Sequence, residues 1–152
     1  MRENSLLAIV KKASIHGELD LWVDGASRGN PGPAASGVVL KTPKGETIKS
    51  LGLALGKATN NIAEYSGILL GLQEAMSLGA SSIKIFTDSE LVARQWNGQY
   101  QVKDDTLRVF YRLAKRLAGH FNQVTVSHVP RELNREADAQ ANLALDTNPI
   151  FE

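Results

Sequence analysis

The sequence contains no cysteine, so disulfides and thiolate metal sites are both unavailable to it. That absence suits a reducing, cytoplasmic setting. Histidine is scarce as well, with three in the chain, and aromatic residues make up 6% of it. The N-terminal "SLLAIV" is too short for a signal-peptide core or a membrane span, so neither export nor a membrane partner is expected. No strong charge of either sign is present: the net charge is +1, which leaves any nucleic-acid argument to local patterning. Neither G-x-x-x-x-G-K-[ST] nor G-x-G-x-x-G occurs, which removes the usual nucleotide-phosphate loops. What remains is an ordinary globular composition, 43% hydrophobic and 22% charged over 152 residues, enough for one domain with a real core.

Periodicity orders the chain into elements. "ELDLWVD" (18–24) alternates as a strand, and "ASGVVLKT" (35–42) and "ETIKSLGLALG" (46–56) follow as an antiparallel meander. From Asn60 the period becomes helical, with Ile62, Tyr65, Leu69, Leu72 and Met76 on one stripe and Gly79 as a stop. "SSIKIFTD" (81–88) is a strand, "SELVARQW" a short helix, 105–118 a longer helix, "QVTVSHV" (123–129) the last strand and 134–145 the last helix. Strands first in series and then alternating with helices predict an α/β fold, a mixed sheet with helices packed on it. Residues 1–17 read as a short N-terminal arm, 18–148 as the domain and 149–152 as a tail.

Four acids stand at the edges of these elements. Asp24 ends the first strand and Asp88 the fourth, and ligands gather beyond the carboxyl ends of strands in open α/β sheets. Glu64 borders the apolar stripe of its helix, and Asp138 has Ala141 and Leu145 one and two turns on, with Asn134 one turn before it. Taken singly, an Asp before Gly is more often a turn former, and acids near helix starts favour the macrodipole. Converged, four carboxylates would take up protons or hold a cation, and oxygen ligands favour Mg²⁺ or Mn²⁺ over Zn²⁺. Between Asp24 and the second strand, "GASRGNPGPAASG" reads as a bare loop that lets a nucleic-acid backbone approach.

"DGASRGNPG", "TNNIAEYSGILLGL", "IFTDSELV" and "NREADAQA" together, in this order, resemble the four motifs of the type 1 ribonuclease H family across residues 18–145. The resemblance implies a ribonuclease H-like five-stranded mixed sheet, antiparallel meander plus parallel strands, flanked by helices. It implies that Asp24, Glu64, Asp88 and Asp138 are catalytic metal ligands for two Mg²⁺ ions, with Mn²⁺ possible. Asp24 would be shared between them, Glu64 and Asp88 would complete one site, and Asp138 the other. It implies endonucleolytic hydrolysis of the RNA strand of RNA–DNA hybrids, leaving 5′-phosphate and 3′-hydroxyl ends. A non-catalytic hybrid-binding module, or another nuclease on the same scaffold, stays open as an alternative. Such an enzyme is expected to act as a monomer.

The same resemblance assigns Asn30, Asn60 and Asn61 to the hybrid and Thr59 and Asn61 to a phosphate, with helix capping as the rival role. Asn134 and Lys103 complete the candidate substrate contacts. His128, ten residues before Asp138, and Arg131 are rival assistants to the leaving group. The basic helix and loop that some members carry after the third motif is missing, since only "NGQYQVKD" separates Trp96 from Asp105. Arg108, Arg112, Lys115 and Arg116 share a helix face that either tracks phosphates or is simply solvated. Trp96 and Tyr100 are either an aromatic handle or half-buried packing.

Overall fold

The computed structural model describes residues 17–147, so the arm expected over 1–17 (Gly17 excepted) and the tail at 149–152 lie outside the described residues. Strands β1 (Glu18–Ser27), β2 (Gly32–Lys41) and β3 (Thr47–Ala58) come first, then helix α1 (Asn60–Ser77) and strand β4 (Ser82–Thr87). Helices α2 (Glu90–Trp96) and α3 (Asp105–Ala118) lead to β5 (Gln123–His128), a 3₁₀ turn (Arg131–Leu133) and α4 (Arg135–Thr147). The five strands form one sheet in the order β3-β2-β1-β4-β5. β1–β2 and β2–β3 are antiparallel and joined by short turns. β1–β4 and β4–β5 are parallel, and their connections run through helices, as parallel neighbours require. The mixed sheet flanked by helices is the architecture expected from the sequence.

Alternation along β1 divides the core. Leu19, Leu21 and Val23 are fully buried on the face that α1 covers with Tyr65, Ile68 and Leu72. Burial of each such side chain contributes about 1.5–3 kcal/mol. α3 packs on α1, where Tyr65 and Tyr111 meet edge to face at 6.1 Å. α4 covers β2 and β3 on the opposite face, through the alanines Ala137, Ala141 and Ala144. Two details differ from the sequence expectation. Met76 is 38% exposed although it lies on the predicted stripe, and Glu64, expected at the border, is buried. The buried arc of α1 is therefore rotated toward Ala63, Glu64, Ile68 and Ala75.

The segment expected as a bare loop is mostly strand. β1 continues to Ser27 and β2 begins at Gly32, with Asp24 opposite Gly37, Gly25 opposite Ser36 and Ser27 opposite Ala34. Only residues 28–31 turn the chain. Small residues are needed there because helices lie directly on the backbone. A Cβ on Gly25 would stand 2.6 Å from Glu64 N, and one on Gly37 would overlap the carbonyl oxygen of Ala137. Gly25 and Gly37 thus admit α1 and α4, while Gly25, Ala26 and Ser27 also line the cavity that holds the acids.

This packing separates two glycine substitutions. Gly37→Ala is expected to destabilise the protein by about 3 kcal/mol, because the backbone of α4 at Ala137 and Ala141 must move. Gly67→Ala, whose Cβ would meet Ser36 Cβ at an ordinary 3.5 Å, is expected to stabilise it. The gain is about 0.5–1 kcal/mol from helix propensity. Urea denaturation of the two variants checks both signs.

Candidate active site

The parallel pairing of β1 with β4 brings the first two acids together. Its register runs to Val23 opposite Thr87, so Asp24 and Asp88 emerge side by side where β4 stops. Glu64 reaches the same point from the first turns of α1, which Gly25 allows to lie against β1. Glu64 Oε1 accepts Gly25 N–H at 2.9 Å, and Thr87 Oγ1 donates to Glu64 Oε2 at 3.1 Å. One carboxylate oxygen from each of Asp24, Glu64 and Asp88 lies within 4.8 Å of the others. Asp138, in the first turn of α4, lines the same cavity, interacts with the Asp24 side chain and accepts Asn142 Nδ2–H at 3.2 Å. Asp24 is therefore the hub, in contact or electrostatic interaction with all three other acids.

Burial makes this arrangement costly for charge. Asp24 is 6% exposed and Glu64 5%, while Asp88 and Asp138 are half-buried. Burial, then the charges of Glu64 and Asp88, pushes the Asp24 carboxyl up to about 10. Burial pushes Glu64 up to about 7, against the hydrogen bonds from Gly25, Asp24 and Thr87 that favour its charged form. Each pair of charges repels by about 3–4 kcal/mol at an effective dielectric of 20. The four acids share a cavity of about 490 Å³ with Asn60, Asn61, Ser89, Arg131 and Asn142. Arg131 is the one basic side chain among the residues lining that cavity, and no histidine lines it. Its donors are hard oxygens, the set that fits Mg²⁺ or Mn²⁺ and not Zn²⁺.

The other candidate residues separate into groups. Asn30 Oδ1 accepts Asn60 N–H at 3.0 Å, which ties the β1–β2 turn to the start of α1 beside the cavity. Thr59 is the N-cap of α1, its hydroxyl accepting Ile62 N–H at 3.2 Å, which is the capping role the sequence also offered. Asn134 is 1% exposed and donates to Val23 O at 2.8 Å, which fastens the start of α4 to β1. Buried in this way, it presents no surface to a substrate. Lys103 is exposed ahead of α3 and does not line the acidic cavity. His128 ends β5 and faces a separate depression with Glu90, Arg94 and Asn97.

The basic stripe on α3 is broken in the structure. Arg108 Nε donates to Val102 O at 3.2 Å, and Lys115 donates to Trp96 O at 2.8 Å while lying 4.1 Å from the centre of the Trp96 ring. Arg108 thus holds the segment between α2 and α3, Lys115 holds the end of α2, and Trp96 is buried beneath Lys115 at 5% exposure. Tyr100 remains half-exposed, with Arg94 over its ring at 5.4 Å. Thr87 and Asn142 carry contacts to the acids that no spacing in the sequence announced. Only the sheet register and the helix turn reveal them.

Comparison with known proteins agrees with this geometry. The family model described as reverse transcriptase-like matches residues 22–144. A bifunctional protein of Mycobacterium tuberculosis is 44% identical over 124 residues, 81% of this chain and 34% of that protein. Ribonuclease HI of Halobacterium salinarum is 42% identical over 86% of this chain and 65% of its own length. The chain thus spans about a third of the first relative and under two thirds of the second. The crystal structure of the Halobacterium salinarum RNase H1 superposes with a TM-score of 0.84 over 87% of this chain and 100% of that chain. That of LC11-RNase H1 in complex with an RNA/DNA hybrid, 34% identical, superposes with a TM-score of 0.81 over 84% of this chain and 96% of that one. With its sheet order, its clustered acids and these likenesses in agreement, the chain belongs to the type 1 ribonuclease H family, within the reverse transcriptase-like group.

Proposed function

We propose that this protein is an endoribonuclease that hydrolyses the RNA strand of RNA–DNA hybrids with Mg²⁺, leaving 5′-phosphate and 3′-hydroxyl ends. The observation that carries the reading is the convergence of Asp24, Glu64 and Asp88 within 4.8 Å, with Asp138 joined to Asp24, in one open cavity. A relative of 34% identity and the same fold is known in complex with an RNA/DNA hybrid, which supports that substrate class. Asp24, Glu64 and Asp88 would hold one cation, and Asp24 with Asp138 a second. Mg²⁺ bound there supplies Lewis acidity toward an attacking water and neutralises the phosphodiester and its leaving oxygen.

The chain's own residues do the rest. The β1–β4 register, the Gly25 and Thr87 donors on Glu64 and the Asn142 donor on Asp138 fix the separations of the acids, so the cavity is formed before substrate arrives. Arg131, on the cavity wall, offers a guanidinium to a phosphate oxygen and steadies the charge that grows on the departing 3′-oxygen. Asn60 and Asn61 line the same cavity and offer amide groups to the sugar edge, where the 2′-hydroxyl distinguishes RNA from DNA. Asn30 orients them through the Asn60 amide. We further propose a cytoplasmic monomer.

Asp88→Asn keeps shape while removing a charged ligand. Turnover of an end-labelled RNA–DNA hybrid in Mg²⁺ is expected to fall by roughly a hundredfold or more, with circular dichroism unchanged. Unchanged cleavage would remove Asp88 from the site. Arg131→Ala is expected to lower kcat about tenfold and His128→Ala to leave it within about twofold. The reverse order would return the supporting role to His128.

Without divalent cations the folded state binds more protons than the unfolded chain, because the Asp24 and Glu64 carboxyls are raised above their ordinary values near 3.8 and 4.5. Stability must therefore fall as pH rises from about 4, through about 7 for Glu64, to about 10 for Asp24. In chelator, Tm is expected to decline across this window, and Asp24→Asn should flatten the decline and raise Tm at pH 8. A wild-type Tm that rises from pH 6 to 9 in chelator would contradict the buried-acid account.

A further inference from the structure

Thr87 is the last residue of β4, fully buried and one position before Asp88. Its hydroxyl makes two hydrogen bonds that together set a direction. Ser89 N–H donates to Thr87 Oγ1 at 3.0 Å, and Thr87 Oγ1 stands 3.1 Å from Glu64 Oε2. A hydroxyl has one proton to give. With an amide donor occupying one lone pair and a carboxylate on the other side, that proton points at Glu64. The second oxygen of Glu64 already accepts Gly25 N–H from β1. Each Glu64 oxygen is thus aimed by a donor on a different strand. The β4 donor also belongs to the turn that carries Asp88.

We propose that Thr87 is a positioning residue: its hydroxyl aims the Glu64 carboxylate toward Asp24 and Asp88, and the affinity of this chain for a divalent cation depends on that aim. The inference rests on the proposed cation-holding role of the three acids. Partners of this kind commonly change metal affinity by about ten- to a hundredfold when removed, because a ligand free to rotate must be ordered at the moment of binding. Side-chain volume is separable from hydrogen bonding here. Thr87→Val keeps both branches of the side chain and loses the hydroxyl. Thr87→Ser keeps the hydroxyl and loses the methyl.

The test is calorimetric titration of Mn²⁺ into the full chain without hybrid, for wild type, Thr87→Val and Thr87→Ser, each checked for folding by circular dichroism. Thr87→Val is expected to bind Mn²⁺ about tenfold more weakly and Thr87→Ser within about threefold of wild type. In cleavage assays the Mg²⁺ midpoint of Thr87→Val should rise in step, while KM for the hybrid at saturating Mg²⁺ holds. Wild-type Mn²⁺ affinity in Thr87→Val overturns the proposal, and so does a Thr87→Ser as weak as Thr87→Val, which would assign the effect to packing. Should Thr87→Val not fold, Thr87→Cys, a much weaker donor, takes its place with the same expectation. A wild type that takes up no Mn²⁺ refutes the cation-holding reading itself, an outcome distinct from a variant that matches a wild type that binds.

Discussion

Parallel pairing of β1 with β4 is the interaction on which the site depends, because it decides that two aspartates distant in sequence leave the sheet at the same level. The ladder ends with Val23 opposite Thr87, and the next residue on each strand is an acid. Side chains alternate along a strand, so a slip of one residue would turn Asp24 or Asp88 to the other face and disperse the cluster. That register is held by what lies above it. Leu19, Leu21 and Val23 face the same way as Ile83 and Ile85, and α1 closes over them. The apolar core thus specifies the position of the most polar part of the molecule.

The cost of that position is visible in the carboxylates. Asp24 and Glu64 are buried almost as deeply as the leucines around them, and burial is the largest cause raising both carboxyls. Glu64 is partly compensated by donors from Gly25 and Thr87. Asp24 has no such relief, since burial, the neighbouring charges and its side-chain hydrogen bonds all act in the same direction. A site built this way holds protons more tightly than free carboxyls do, so that any cation it takes up must displace them. The rest of the fold supplies rigidity to that site. α4 rests on glycine backbone, Asn134 fastens its start to Val23, and Arg28 pairs with Asp146 to fasten its far end to the β1–β2 turn.

Long periodic elements and the four acids were legible in the sequence, because hydrophobic alternation and carboxylates at the ends of elements leave local marks. The glycine-rich segment was misjudged for a physical reason. Small residues describe a place where something comes close, and the sequence does not say whether that neighbour is a ligand or the protein's own helix. Gly25 and Gly37 admit α1 and α4. The basic face of α3, open in the sequence between phosphate tracking and solvation, is divided by packing: backbone carbonyls of residues 102 and 96 hold Arg108 and Lys115. Asn134, a plausible substrate contact by its spacing from Asp138, proved to be a buried tether.

The amino-acid order alone determined which elements form and which acids sit at their ends, since both follow from local periodicity and from residue type. It did not determine which of those acids meet. Tertiary structure decided that Asp24, Glu64 and Asp88 share one point, that Arg131 and not His128 lines their cavity, and that Thr87 reaches Glu64. Proximity between residues tens of positions apart is set by strand register and helix packing. Those are properties of surfaces brought together, and no local pattern in the chain records them.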